Sequence, residues 1–196
     1  MPETSHDPTT LPDDLPVPVD DGAADHLPGQ LLPAVALPST GGGTVDLAER
    51  SHGRRLVVFA YPRTGQPGVE MPADWDAIPG ARGCTPQACS FRDLSAEFAE
   101  RGVELFGVST QDPGYQREAA DRLRLPYPLL SDAEQRLSGA LRLPTFSADG
   151  AVLLRRLTMI VRDGRIERVL YPVFPPDRSA ADTLAALAYL DPVAGR

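Results

Sequence analysis

The chain has 196 residues, of which 42% are hydrophobic, and this is enough for a buried core. Its formal charge is -8 and its basic residues form no run or stripe, so we predict no binding to nucleic acid. No stretch approaches the roughly 18 apolar residues of a membrane helix, and the N-terminus lacks the basic start and apolar core of a secretory signal. These features predict a cytoplasmic protein that has no membrane segment.

The acidic charge is concentrated at the N-terminus. Residues 1–28 contain seven Asp or Glu, six Pro and no Lys or Arg. Such a composition is typical of disorder, so we predict a disordered acidic tail over 1–28 and a single domain over 29–196. We interpret the tail as a spacer rather than an interaction segment.

Strands and helices alternate along the predicted domain. A Val-rich apolar run over 54–61 predicts a buried strand, and residues 90–102 predict an amphipathic helix that ends at Gly102. The remaining predicted elements are a strand over 103–110, a helix over 113–123, a strand over 127–130, a helix opened by a capping box of Ser131 and Glu134, a β-hairpin of 153–161 and 166–173 that turns at Asp163 and Gly164, and a helix over 177–190. This order predicts an α/β fold with a central mixed sheet flanked by helices.

One long segment has no helical or strand period. Residues 62–83 contain four Pro and four Gly, and a loop of this length in a compact domain is usually functional or mobile. Trp75, the only tryptophan, lies within it. We favour a role for Trp75 as an anchor of this loop over a role as the wall of a pocket.

The loop leads directly into the two cysteines of the chain, Cys84 and Cys89. A close pair of thiols in a reducing compartment is more often catalytic or redox-sensing than a structural disulfide. Cys84 falls at the predicted start of a helix, where unpaired N–H groups and the helix dipole favour an anion such as a thiolate. Pro86 is tolerated there because it lies in the first turn.

The spacing of the two cysteines constrains their chemistry. On an ideal helix their Cα atoms would lie roughly 8 to 9 Å apart, whereas a disulfide needs about 4.4 to 6.8 Å. Two thiols on one intact helix therefore cannot bond. A stepwise cycle follows, in which Cys84 is oxidised to sulfenic acid, the helix opens, and Cys89 attacks to form the disulfide.

Other kinds of site have little support in the sequence. All three histidines precede the cysteines, and only His52 lies outside the predicted tail, which leaves one candidate base for a Cys-His pair. Two thiols without clustered histidines do not make a zinc site, and no phosphate-binding or dinucleotide-binding glycine motif is present. We therefore predict no metal and no cofactor.

The segment GCTPQACSFRD, residues 83–93, resembles the active-site segment of peroxiredoxins of the bacterioferritin comigratory protein type, also called peroxiredoxin Q. Segments 32–49, 103–110, 123–141 and 155–166 resemble that family in the same order. The resemblance implies a thioredoxin-like fold, reduction of hydrogen peroxide or organic hydroperoxides, and recycling by thioredoxin or a similar dithiol protein.

The resemblance also implies roles for individual residues. Cys84 would be the peroxidatic thiolate and Cys89 the resolving thiol. Arg156 matches the arginine of the family, whose guanidinium favours the thiolate and holds peroxide oxygens in the transition state. Arg155, which would face the opposite way on a strand, is the alternative for this role.

The chain departs from the family motif at two positions. Ala81 stands three residues before Cys84, where the family has a threonine whose hydroxyl lies near the thiolate. An insertion between Gly68 and Cys84 is the simplest account, and the hydroxyl would then come from Thr64, come from Thr85, or be absent. Gln87 stands where the family usually has Glu, which removes one charge beside the site.

The first functional hypothesis is therefore a thiol peroxidase that works as a monomer or homodimer. One alternative is a redox-sensing binding or chaperone-like module, in which oxidation unfolds the helix and exposes apolar surface. Another is a protein dithiol-disulfide oxidoreductase.

Overall fold

The computed structural model describes residues 11–12 and 14–190. Its centre is a mixed five-stranded sheet in the order β5-β4-β3-β8-β9. Strands β3 (Arg55–Ala60), β4 (Val103–Ser109) and β5 (Leu129–Ser131) are parallel. Strand β8 (Leu157–Arg162) runs antiparallel to β3, and β9 (Arg165–Leu170) runs antiparallel to β8 and so in the same direction as β3. The α/β class and the mixed sheet predicted from the sequence are confirmed.

In the described part of the chain, two small antiparallel ribbons and six α-helices surround this sheet. One ribbon pairs β1 (Ala36–Pro38) with β2 (Thr44–Asp46), and the other pairs β6 (Thr145–Ala148) with β7 (Ala151–Leu154). The helices are α1 (Leu47–Arg50), α2 (Cys84–Asp93), α3 (Ser95–Glu100), α4 (Pro113–Leu123), α5 (Arg136–Leu141) and α6 (Ser179–Leu190). Within the described ranges, no helix combines the length and the apolar character needed to cross a membrane.

Strand β3 divides the core into two layers, because successive side chains of a strand face opposite sides of its sheet. Leu56 and Val58 pack in one apolar cluster with Leu137 of α5, whereas Val57 and Phe59 pack in another. The second cluster also contains Cys84 and Phe91 of α2, Phe98 of α3, and Leu184 and Leu187 of α6. Every residue of β3 is buried, which explains why its sequence after Arg55 is a continuous apolar run from Leu56 to Ala60.

The domain begins earlier than the sequence predicts. Ala24 and Leu27 are buried in the first apolar cluster, and Nε2 of His26 lies 3.0 Å from the carbonyl oxygen of Leu141. The prediction of a disordered tail over 1–28 is therefore wrong for its last residues, while 1–10 and 13 lie outside the described residues. The composition did not indicate that this segment packs on the domain, because two apolar side chains among many acidic residues and prolines form no helical or strand pattern.

The predicted hairpin of 153–161 and 166–173 is only partly correct. Residues 153–161 contribute to two strands, since β7 ends at Leu154 and β8 begins at Leu157. The turn at Asp163 and Gly164 is confirmed, with φ of 48° and 72°, as a type I′ turn requires. The break between the strands contains both arginines that the sequence analysis considers, Arg155 and Arg156.

The predicted capping box of Ser131 and Glu134 does not form. Ser131 belongs to β5, and its hydroxyl donates to the Gln111 carbonyl at 2.6 Å. Asp132 caps α5 instead, because its carboxylate accepts from the backbone N–H groups of Leu137 at 3.0 Å and Ser138 at 2.8 Å. An Asp can cap a helix as well as a Ser can, and the sequence pattern did not distinguish these neighbours.

Two further predictions concern the loop before the cysteines and the helix after them. Residues 62–83 form a loop, as expected, with one short 3₁₀ turn at Trp75–Ala77. The helix predicted over 90–102 is two helices, because α2 ends at Asp93 and α3 begins at Ser95. Gly102 follows the end of α3 with φ of 67°, the left-handed conformation expected of a helix stop.

Candidate active site

Cys84 is the first residue of α2, as predicted from the sequence. The preceding residue, Gly83, has φ of 104°, and a Cβ atom there would clash with the ring of Pro176. Glycine is therefore required both by the backbone conformation and by the close approach of this turn. The arrangement fixes the position of the thiol at the N-terminus of the helix, where it is only 4% exposed.

Among the described residues, three groups lie within hydrogen-bonding distance of the Cys84 sulfur. The backbone N–H of Arg63 and Nη2 of Arg156 each donate to Sγ at 3.4 Å. The thiol in turn contacts the carbonyl oxygen of Ala81 at 3.7 Å. Two donors, one of them cationic, suit a sulfur that carries negative charge.

Arg156 is held in place by other contacts on α2 and on the loop. Its Nη1 donates to Oε1 of Gln87, and its Nη2 also contacts the carbonyl oxygens of Gly80, Ala81 and Arg82 at 3.3, 3.2 and 3.1 Å. The side chain is buried, and its Nε has no partner among the described residues. The guanidinium therefore has a fixed orientation beside the Cys84 sulfur.

Gln87, which stands where a Glu would be expected, is held by two side-chain hydrogen bonds. It is fully buried, and its Nε2 donates to the Ser179 hydroxyl at 3.2 Å while its Oε1 accepts from Arg156. These two contacts define the orientation of the amide. Because Gln87 is uncharged, it holds Arg156 without neutralising the guanidinium.

Arg155 lies away from the thiol. Its guanidinium carbon is 5.7 Å from the centroid of the Phe146 ring, a cation–π contact. The structure thus brings Arg156 and Cys84 together and does not place Arg155 with them. The peptide between the two arginines is not part of a strand, but their side chains still diverge.

The candidate hydroxyl groups occupy different places. The Thr64 hydroxyl donates to Oε1 of Gln111 at 3.1 Å, and the Thr64 N–H donates to the same oxygen at 3.0 Å. Thr85 is buried and lines a pocket of about 20 Å³ that also includes Cys84. Ala81 is fully buried and supplies only its backbone carbonyl to this region.

Cys89 lies on the same helix, one turn further along, and both cysteines are free thiols. Cys84 is buried and Cys89 is half-buried. Partial burial raises the pKa of the Cys89 thiol, and the positive charge of Arg92 acts in the opposite direction. The intact helix keeps the thiols apart, so a disulfide between them requires local unwinding of α2.

Aromatic side chains support this helix from the sheet. Phe91 of α2 stacks on Phe59 of β3 with ring centroids 4.3 Å apart. The Tyr127 hydroxyl donates to the Ala88 carbonyl at 2.6 Å, which attaches the first turns of α2 to the segment before β5. Burial raises the pKa of Tyr127 well above its usual value, so its hydroxyl stays protonated and able to donate.

Sequence reasoning missed three contributors to the site. The backbone N–H of Arg63, the Gln111 side chain and the Tyr127 hydroxyl all contact the residues around Cys84 or its helix. No sequence signal marks a backbone donor, since every residue except proline carries one. The described residues contain no group of three or more His, Cys, Asp or Glu side chains placed to hold a metal ion.

A buried thiol at a helix N-terminus, contacted by a fixed arginine, on a mixed sheet with helices on both faces, defines a thiol-based redox protein. Comparison with known sequences agrees. The Redoxin family model matches residues 27–186. Chloroplastic peroxiredoxin Q of Suaeda salsa is 30% identical over 162 residues, which is 83% of this chain and 68% of the relative. Chloroplastic peroxiredoxin Q of Gentiana triflora is 30% identical, but this chain spans only 65% of its length.

Solved structures agree with the sequence relatives. Peroxidoxin BcpB from Mycobacterium tuberculosis has a TM-score of 0.67 and 28% identity, covering 84% of this chain and 99% of that one. Xanthomonas campestris peroxiredoxin Q shares the fold, with a TM-score of 0.65, 23% identity, and coverage of 83% and 98%. The chain therefore belongs to the Redoxin family, among the peroxiredoxins of the Q or bacterioferritin comigratory protein type. The thioredoxin-like fold is confirmed.

Proposed function

We propose that this protein is a thiol peroxidase that reduces hydrogen peroxide or organic hydroperoxides. The observation that carries the proposal is the pair of donors at 3.4 Å from the Cys84 sulfur, Nη2 of Arg156 and the N–H of Arg63. Donors placed in this way favour the thiolate and stabilise charge that develops on peroxide oxygens. The relationship to peroxiredoxins supports the same reaction.

In the first step, the Cys84 thiolate attacks the terminal oxygen of the hydroperoxide. The S–O bond forms as the O–O bond breaks, and the departing alkoxide or hydroxide takes up a proton to leave as alcohol or water. The sulfur loses two electrons and becomes a sulfenic acid, while the peroxide gains them. Arg156 would stabilise the departing oxygen, because its Nη2 already lies beside the reacting sulfur.

In the second step, the Cys89 thiolate attacks the Cys84 sulfur of the sulfenic acid. The S–S bond forms, the S–O bond breaks, and the hydroxide leaves as water after protonation. Because both residues lie on α2, the helix must unwind before they meet. Thioredoxin or a similar dithiol would then supply two electrons to restore both thiols.

The reductant, the cytoplasmic location and the choice between monomer and homodimer stay predictions. The plant relatives carry chloroplastic in their names, so the family occurs in more than one compartment. A dithiol reductant is supported by the chemistry of the Cys84–Cys89 disulfide, which only a thiol donor can reopen by exchange.

Steady-state turnover tests the proposal against its alternatives. The full chain is mixed with hydrogen peroxide, thioredoxin, thioredoxin reductase and NADPH, and NADPH consumption is followed. Turnover that needs both peroxide and Cys84 is expected. Oxidation without turnover would indicate a redox-sensing module, and faster reduction of insulin disulfides than of peroxide would indicate a dithiol-disulfide oxidoreductase.

A further inference from the structure

Within the loop over 62–83, residues 65–77 form an open pocket beside the candidate active site. Residues 65–77 line a cavity of about 870 Å³, far larger than the pocket of about 20 Å³ at Cys84. The two cavities share Gly65, Met71 and Trp75 as walls. The small pocket has room for about one water-sized group, and the large one adjoins it through the shared residues.

Contacts at several points fix this loop against the domain. Nη2 of Arg122 donates to the Gly65 carbonyl at 2.8 Å. Trp75 is only 4% exposed and packs in a cluster with Ala81 and Leu153, so it anchors the loop, as predicted. It also lines both pockets, which is the role that the sequence analysis disfavoured. The loop pocket is thus part of the folded domain.

The lining combines apolar surface with negative charge. Its apolar members include Pro67, Val69, Met71, Pro72 and Trp75. Its charged members are Glu70, Asp74 and Asp76, and no basic side chain lines the described cavity. The carboxylate of Asp76 accepts from Nη1 of Arg82, so Glu70 and Asp74 supply the negative charge of the lining. Apolar walls favour an apolar ligand, whereas the carboxylates of Glu70 and Asp74 disfavour an anionic one.

We propose that this pocket is a subsite for the organic part of a bulky, uncharged hydroperoxide whose O–OH group enters the small pocket at Cys84. The proposal rests on the proposed peroxidase function and adds its substrate class. The chemical step is the one given above, with an uncharged organic alcohol as the leaving product. Hydroperoxides that carry a carboxylate are disfavoured by Glu70 and Asp74, and hydrogen peroxide does not use the subsite.

The test compares three oxidants on the reduced full-length protein by stopped-flow fluorescence. They are hydrogen peroxide, cumene hydroperoxide and the para-carboxylate of cumene hydroperoxide, a matched pair that differs in charge. Val69→Glu places a further carboxylate in the pocket, and Val19→Glu is its control, because Val19 is 82% exposed and outside the pocket lining. Glu70→Gln with Asp74→Asn removes two charges, and Glu97→Gln with Glu100→Gln is the matched control on exposed helical positions.

We expect cumene hydroperoxide to react about tenfold faster than its carboxylate. Glu70→Gln with Asp74→Asn should lower the ratio of these two rates about threefold. Val69→Glu should slow the reaction with cumene hydroperoxide about threefold. Both sets of variants should leave the rate with hydrogen peroxide unchanged, and both controls should change nothing. The subsite would be overturned if cumene hydroperoxide and its carboxylate reacted at equal rates, or if the pocket variants and their controls had equal effects. A fast reaction with hydrogen peroxide would still support the peroxidase function in that case. If none of the three oxidants reacted with the reduced protein, the proposed peroxidase function itself would be overturned.

Discussion

Nη2 of Arg156 lies 3.4 Å from Sγ of Cys84, although 71 residues separate them in the chain. Arg156 lies between the end of β7 and the start of β8, and Cys84 is the first residue of α2. The same Nη2 group contacts three consecutive carbonyls at the end of the loop over 62–83. One side chain therefore joins the thiol, the loop and, through Gln87, the helix.

Replacement of Arg156 should impair peroxide reduction. In Arg156→Lys the charge remains, but one ammonium cannot reproduce the contacts of a planar guanidinium, so we expect the rate of Cys84 oxidation to fall about 100-fold. Rapid mixing with hydrogen peroxide measures this rate. Arg155→Lys is the control and should react normally, because Arg155 contacts Phe146 instead of the thiol. Equal losses in the two variants would contradict the assignment.

The two candidate hydroxyls should have separable effects. Thr85→Val removes a hydroxyl from the pocket at Cys84, and we expect peroxide oxidation to slow about three- to tenfold at nearly unchanged stability. Thr64→Val removes the donor to Gln111 and should instead lower the free energy of unfolding by about 1 kcal/mol. Peroxide kinetics and urea denaturation on both variants check this, and a large kinetic effect of Thr64→Val alone would reverse the assignment.

The second chemical step should depend on pH through Cys89. Burial raises the pKa of this thiol above its ordinary value, which is about 8.5 for a free cysteine. Below that pKa the attacking thiolate is scarce, so disulfide formation should accelerate as pH rises and should still be increasing near pH 9. Stopped-flow measurement of the slow phase from pH 6 to 10 tests this, and a plateau below pH 8 would contradict it.

Docking of the N-terminal segment should contribute to stability. Leu27 is fully buried in the first apolar cluster, so Leu27→Ala should lower the free energy of unfolding by about 2 to 5 kcal/mol. Val19→Ala is the control at an exposed position of the same segment, where the effect should stay within about 0.5 kcal/mol. Urea denaturation compares them. Equal stabilities would mean that the segment is a detached tail.

Much of the fold is encoded in local patterns of the sequence. Strand β3 is apolar from Leu56 to Ala60 because both of its faces are buried, and Pro113–Leu123 is helical within the predicted bounds. The start of α2 at Cys84 also follows from local signals, namely a glycine before it and a proline in the first turn. Errors arose where tertiary packing decided the outcome, as for the buried Leu27 and for the cap supplied by Asp132.

The candidate site was only partly predictable. Thiols are conspicuous in the sequence, and the resemblance to a family selected Arg156, but the choice against Arg155 needed the geometry of the break between β7 and β8. The Arg63 backbone donor and the pocket lined by residues 65–77 depend on the conformation of the loop over 62–83. That segment has no period from which a conformation follows.

The most direct test of the central claim follows Trp75 fluorescence after reduced protein is mixed with hydrogen peroxide, using Cys84→Ser and Cys89→Ser alongside. Trp75 lines the same pocket as Cys84 and is the only tryptophan, so it reports on this site. We predict a fast phase that is lost in Cys84→Ser and a slower phase that is lost in Cys89→Ser. Oxidation no faster than that of a free thiol at the same pH would contradict the peroxidase assignment.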